Sequence, residues 1–220
     1  MLDILYEDNH IIVAYKPYNV LSQADNTNTD DMLTLLKDYI KVKYNKPGNV
    51  YLGLVHRLDR NTEGIMVFAR TSKAAKRLQA SMLNNDFSKH YIAVVEGIIK
   101  EDGYLENYIL KDEIYKKAYI NNNGKLAKLS YKVINSGKIN NQDVTYLRIK
   151  LETGRFHQIR CQFSNIGHPL YGDYKYGSKN KVESSFLQAY SLEIEHPTTK
   201  EHLSFTKIDN NNLFKGILMD

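Results

Sequence analysis

The 220 residues contain one cysteine, no tryptophan and only four prolines. A lone thiol, Cys161, excludes an internal disulfide framework and a cysteine-rich zinc site. It also reads as a protein of a reducing compartment, so the expected location is the cytoplasm. Long apolar runs are missing: stretches such as Tyr91 to Val95 are far too short to span a bilayer. The N-terminus, Met1-Leu2-Asp3-Ile4-Leu5-Tyr6-Glu7-Asp8, meets acidic residues early and has no basic region before an apolar run, which excludes a secretory signal. The 7 histidines are scattered without metal-ligand spacing, and neither a dinucleotide fingerprint nor a phosphate-binding glycine loop occurs. No metal and no cofactor are therefore expected. Repeats, heptads and low-complexity tracts are also absent, and the expectation is a soluble monomer.

What is present suffices for a core. Hydrophobic residues make up 42% of the chain, and 30 basic against 25 acidic residues leave a formal charge of +5. That excess permits a polyanionic partner without establishing one. Ile11 to Tyr15 reads as a buried strand closed by Lys16-Pro17. After a polar loop from Gln23, the segment Asp31 to Tyr44 carries Met32, Leu35, Leu36, Tyr39, Ile40 and Lys43 at helical spacing, stopped by Lys46-Pro47-Gly48. Val50 to Val55 and Ile65 to Ala69 are predicted strands around a polar turn region. Thr71 or Ser72 caps a helix through about Asn84. Further strands are predicted at 91–97, 104–110, 126–134, 144–151, 186–195 and 202–205, with helices at 156–166 and 211–219. Lys111 to Lys128 reads as a solvated hairpin. Many strands with few helices indicate an α+β fold with a mixed, mainly antiparallel sheet and flanking helices. The length suits one domain over residues 1–220, or one elongated domain with two lobes.

Two polar clusters stand out. In His56-Arg57-Leu58-Asp59-Arg60, alternation turns Arg57 and Asp59 one way and Leu58 toward the core. Burial raises a carboxylate pKa and a neighbouring guanidinium lowers it, so Asp59 is expected to stay ionised and fit to act as nucleophile or base. A structural Asp–Arg ion pair at a turn explains the same residues equally well. In the second cluster, Gly154-Arg155-Phe156-His157-Gln158-Ile159-Arg160, a strand ends and a helix opens. His157 and Arg160, three apart, are expected to share a helical face near free backbone amides suited to a phosphate. A capped amphipathic helix with a solvated basic face is the plainer reading.

Taken together, the clusters resemble the His-Arg-Leu-Asp-Arg and Gly-Arg-x-His-Gln-Ile-Arg signatures of the RluA-type RNA pseudouridine synthases. Ile4 to Pro17 looks like that family's opening strands, Lys89 to Gly97 like its tyrosine-bearing strand, and Gly167-His168-Pro169-Leu170-Tyr171-Gly172-Asp173 like the segment after the second signature. The matches occur in the family's order over nearly the whole chain. The resemblance implies an isomerase that turns uridine into pseudouridine in ribosomal or transfer RNA. It implies Asp59 as the catalytic aspartate, Arg57 as the side chain entering the space of the flipped uridine, Tyr91 as the stacking ring and Arg160 as the partner of the aspartate. His56, Arg60, Arg155, His157 and Gln158 are expected to bind substrate. The reaction conserves all atoms, so no redox cofactor or metal is required.

Departures from the family pattern are Glu63, Cys161-Gln162 and Tyr18-Asn19, which bear on substrate choice rather than on the carboxylate. The chain opens at the catalytic pattern, and the small N-terminal RNA-binding domain of many family members is expected to be missing. The competing reading is a catalytically silent RNA-binding or chaperone protein with the same fold. A glycosidase is a poor third, because no second acidic residue pairs with Asp59.

Overall fold

The computed structural model describes residues 2–25, 27, 29–84, 86–180, 182, 186–208 and 214. The chain divides into two compact units, one of Met1–Ser88 with Ala189–Lys207 and one of Lys89–Gln188 with Ile208–Asp220.

The first unit is built on β1 (Asp3–Glu7), β2 (Ile11–Lys16) and β4 (Glu63–Ala69), with a short β3 (Gly53–Leu54) on the edge of β4. β10 (Leu187–Glu195) follows β4 in the strand order, and β11 (His202–Thr206) pairs β10. The pairs β1–β2, β2–β4, β3–β4 and β10–β11 are antiparallel. Every residue of β2 and β4 is buried. Both faces of these strands are therefore covered, as their unbroken apolar runs require. The core gathers Ile11, Val13, Ile65, Val67, Leu78, Leu192 and Ile194. Helix α1 (Met32–Lys43) is capped by Asp31, whose Oδ1 accepts from Thr34 N–H at 3.0 Å. Helix α2 (Ser72–Leu83) is capped by Thr71, whose hydroxyl accepts from Ala74 N–H at 3.1 Å. Both helices run where the apolar spacing predicts, and the cap of α2 is the Thr71 of the sequence reading.

The second unit orders its strands β5 (Phe87–Glu96), β9 (Gln142–Leu151), β8 (Lys125–Ile139), β6 (Gly103–Asp112) and β7 (Lys117–Ile120), each antiparallel to its neighbour. The β8–β9 hairpin closes through Asn140-Asn141, with φ of 50° and 62°, the left-handed pair that a two-residue turn demands and asparagine tolerates. Helix α3 (Gln158–Asn165) packs on β6 and β7, with Cys161 buried among Ile109, Ala118, Ala127 and Tyr176.

Several boundaries differ from the sequence expectation: β5 starts at Phe87 rather than 91, and β8 runs on to Ile139 rather than 134. The strand predicted at 50–55 shrinks to Gly53–Leu54, because the Val67 N–H beside it is taken by His56 Nε2 at 3.1 Å instead of a backbone carbonyl. The lysine-rich stretch is not a single hairpin but the end of β6, the whole of β7 and the start of β8, joined by turns at 113–116 and 121–124. The helix predicted at 156–166 begins at Gln158, one turn's start later. The closing helix predicted at 211–219 lies outside the described residues apart from Phe214. The α+β class with a mainly antiparallel sheet stands, with three α-helices among the described residues.

Candidate active site

His56, Arg57, Asp59 and Arg60 lie on the loop between β3 and β4 in the first unit. Leu58 points inward and is buried, as alternation predicts. The loop is bolted to the segment that follows β2. Ser22, itself buried, accepts from Leu58 N–H at 3.0 Å and donates to Leu58 O at 2.7 Å. Asn19 N–H donates to Arg60 O at 3.0 Å, and Asn19 Oδ1 accepts from Arg60 Nε at 2.8 Å. Thr62 N–H closes a turn on Asp59 O at 3.0 Å. These bonds tie the backbone on both sides of the half-buried Asp59.

Behind the loop sits a residue that sequence reasoning had assigned only to strand termination. Lys16 is fully buried, and its ammonium donates to Pro17 O at 3.0 Å, Val20 O at 2.7 Å and Arg60 O at 3.2 Å. Three carbonyls match the three donors of an ammonium. Burial pushes its pKa down to about 7, against an upward pull from the Asp59 and Glu63 carboxylates. Lys16 thus gives Asp59 a cationic neighbour from within its own unit, beyond the arginines named from sequence. Glu63, a departure from the family pattern, is buried and belongs to the same charge cluster. The signal was available in principle: a lysine ending a wholly buried strand has to satisfy its charge locally.

The other residues singled out are in the second unit. Tyr91 is buried in β5, opposite Ile149 of β9. Arg160 extends from α3, and its Nε and Nη2 donate to Asp173 Oδ2 and Oδ1 at 2.6 and 2.8 Å. His157 does not share a helical face with Arg160. It precedes α3 in the left-handed region, at φ 51°, and so lies outside the helical repeat. Its ring stacks on Phe156 at 3.8 Å, and Nδ1 lies 2.8 Å from the Tyr176 hydroxyl. Burial, with Arg160 and Lys175 nearby, pushes its pKa down to about 3.

Several expected substrate ligands are engaged by the protein itself. His56 is buried, edge-on to Phe87, and anchors the loop through Val67. Gln158 is buried and bridges Thr153, Arg155 N–H and Lys128 O at 2.8, 3.0 and 3.0 Å. Gln158 N–H in turn donates to Arg155 O at 3.1 Å, so the start of α3 spends internally one of the amides that a phosphate was expected to use. Arg155 stays exposed while its Nε donates to Leu126 O at 2.8 Å, and Arg57 and Arg60 are exposed. The Cys161-Gln162 departure faces the sheet: Cys161 fills the core and Gln162 donates to Asn107 Oδ1 at 2.8 Å. Among the described residues, no group of three or more His, Cys, Asp or Glu side chains is placed to hold a metal ion. No helix among them is long and apolar enough to cross a membrane.

The pattern of the family described as RNA pseudouridylate synthase matches residues 10–165. An RNA pseudouridine synthase of Aquifex aeolicus is 32% identical, over 98% of this chain and 72% of its own length. The ribosomal large subunit pseudouridine synthase D of Pseudomonas aeruginosa is 34% identical over 95% of this chain, which spans 64% of that protein. In fold, human RNA pseudouridylate synthase domain containing 4 superposes with a TM-score of 0.77 at 21% identity, over 96% of this chain and 90% of that one. The chain belongs to the RNA pseudouridine synthases of the RluA type, the enzymes that isomerise uridine to pseudouridine within RNA.

Proposed function

We propose that this chain, as one catalytic domain, isomerises a uridine of large-subunit ribosomal RNA, with Asp59 as the catalytic carboxylate. The observation that carries the reading is Asp59 itself: a half-buried carboxylate on a loop pinned at Leu58, Asp59 and Arg60, with the buried Lys16 ammonium as its neighbour. A carboxylate on a fixed stretch of backbone, still partly exposed, suits a nucleophile or a base. The chemistry breaks the bond from uracil N1 to the ribose, turns the ring and rejoins it through C5. No atom is gained or lost. The base has to leave its stack first, at a cost of about a few kcal/mol. Arg57, exposed on the same loop, fills the vacated space, and the Tyr91 ring stacks on the extruded base. Arg160 completes the catalytic set. The ribosomal assignment is supported by the name of the Pseudomonas aeruginosa relative. The protein works as a cytoplasmic monomer without metal or redox cofactor.

The test is to incubate the purified protein with total RNA from a strain lacking it and to map pseudouridine. A new site in large-subunit RNA with wild type, and none with Asp59→Asn, is expected. Modification confined to transfer RNA would move the substrate, and no new site in any RNA would leave the silent RNA-binding reading. A site that persists with Asp59→Asn removes the assigned role.

A further inference from the structure

The guanidinium of Arg160 is held by Asp173, which ends the segment after the second signature, and by Tyr176 beyond it. Asp173 takes Nε and Nη2 with its two oxygens, a fork that fixes both the plane and the direction of the guanidinium. Both side chains are close to nine-tenths buried, at 11% and 10% exposure, so water competes little for either. The Tyr176 ring lies against the same guanidinium, 4.9 Å from centroid to Cζ. Tyr176 is fixed at its far end: its hydroxyl accepts from Ala118 N–H at 2.7 Å and lies 2.8 Å from His157 Nδ1. Burial, with Arg160 and Lys175 nearby, keeps the imidazole neutral, so the contact between Nδ1 and the hydroxyl is a neutral hydrogen bond. His157 therefore serves as an anchor for Tyr176.

The segment carrying these groups is itself rigidly attached. Asp173 O accepts from Tyr176 N–H at 2.9 Å and from Ser178 N–H at 3.2 Å, closing the 3₁₀ turn Tyr174–Tyr176. Ser164 of α3 donates to Tyr176 O at 2.6 Å, tying that turn to the helix that bears Arg160. Arginine has four side-chain torsions and costs about 2 kcal/mol of rotamer entropy to immobilise, so a clamp on two sides has a purpose only where orientation counts.

We propose that Asp173 and Tyr176 are positioning residues that hold the Arg160 guanidinium in its working orientation, with His157 anchoring Tyr176. The proposal rests on the reading of Arg160 as a member of the catalytic set. Misplacing a catalytic group by a bond length costs rate rather than affinity.

The experiment is single-turnover and steady-state kinetics on a substrate RNA for Asp173→Glu, Tyr176→Phe, Arg160→Ala and the double variant of Asp173→Glu with Arg160→Ala, with melting temperatures alongside. Asp173→Glu keeps the charge pair but displaces the guanidinium by a methylene. It is expected to lower kcat about tenfold or more with KM within about twofold, and to add little in the Arg160→Ala background. Wild-type kcat for Asp173→Glu, or equal losses in both backgrounds, would overturn the proposal. If Asp173→Glu melts below the assay temperature, Tyr176→Phe decides. That variant keeps the ring but frees it from Ala118 and His157, and is expected to lower kcat about threefold at unchanged KM; unchanged kcat would then overturn the proposal. An Arg160→Ala variant as active as wild type would instead sink the catalytic reading of Arg160, and this proposal with it.

Discussion

Lys16 illustrates how a buried charge is made tolerable. Its aliphatic stem runs inside the first unit and its three donors meet three main-chain carbonyls, so the ammonium replaces water with fixed dipoles. Burial still depresses its pKa, from 10.5 to about 7, and this has a signed consequence for stability. Between these values the unfolded chain binds a proton that the folded chain has given up. Stability from this group therefore rises with pH across that window, by at most about 1.4 kcal/mol per pH unit, and is lowest below it. Urea denaturation at pH 7 through 10 is expected to show that rise in wild type and a flatter profile in Lys16→Met. Parallel profiles would mean that Lys16 titrates at its ordinary value. His56 and Gln158 are further cases at this scale. Both carry signature positions, and both spend their polar atoms on the protein's own backbone, placing the loop and the start of α3.

At the scale of elements, close approach of strands decides more than propensity. Gly64, opposite Lys16 in the β2–β4 ladder, has φ of 133°, and a Cβ there would lie 2.3 Å from Ala189 O and 2.6 Å from Ala189 N. Both obstacles are backbone of β10, which a side-chain rearrangement does not relieve. Gly64→Ala combines a disfavoured φ with overpacking and is expected to destabilise by about 3 kcal/mol or more. A denaturation midpoint unchanged from wild type would refute this. The same strand, β4, carries Glu63 at its start and takes the His56 bond at Val67, so a shift of β4 would disturb the Asp59 loop from two sides. The caps of α1 and α2 and the Asn140-Asn141 turn are local devices, of which the sequence reading named the cap of α2 at Thr71 or Ser72. β7 was not anticipated. Its four residues, Lys117–Ile120, include one buried side chain, Ala118, and the strand exists because β6 offers it a partner.

For the molecule as a whole, the excess of 30 basic over 25 acidic residues is small, and its distribution counts for more than its sum. Arg57, Arg60 and Arg155 are exposed, as a phosphate backbone would require. RNA affinity is expected to fall as salt rises, with a slope set by the number of phosphates neutralised, because each contact releases condensed counterions. Filter binding or anisotropy from 50 to 200 mM salt, roughly the range over which such contacts weaken strongly, measures it. A flat dependence would argue that binding rests on the base and on shape rather than on the backbone.

The sequence by itself determined the fold class, the place of both long helices, the cap of α2, most strands and the two clusters that carry the family likeness. Each of those depends on periodicity, capping or motif order, which are properties of neighbours along the chain. Only the tertiary structure decided what the motif residues touch. Lys16 reaches Arg60 across 44 positions, Ser22 holds Leu58 across 36, and Asp173 grips Arg160 from beyond the end of its helix. His157, one residue short of α3, left the helical face assigned to it because a left-handed backbone turns its ring toward Tyr176. Hydrogen bonds and charges pair through space, and a buried polar group takes whichever partner the packed chain brings within about 3 Å.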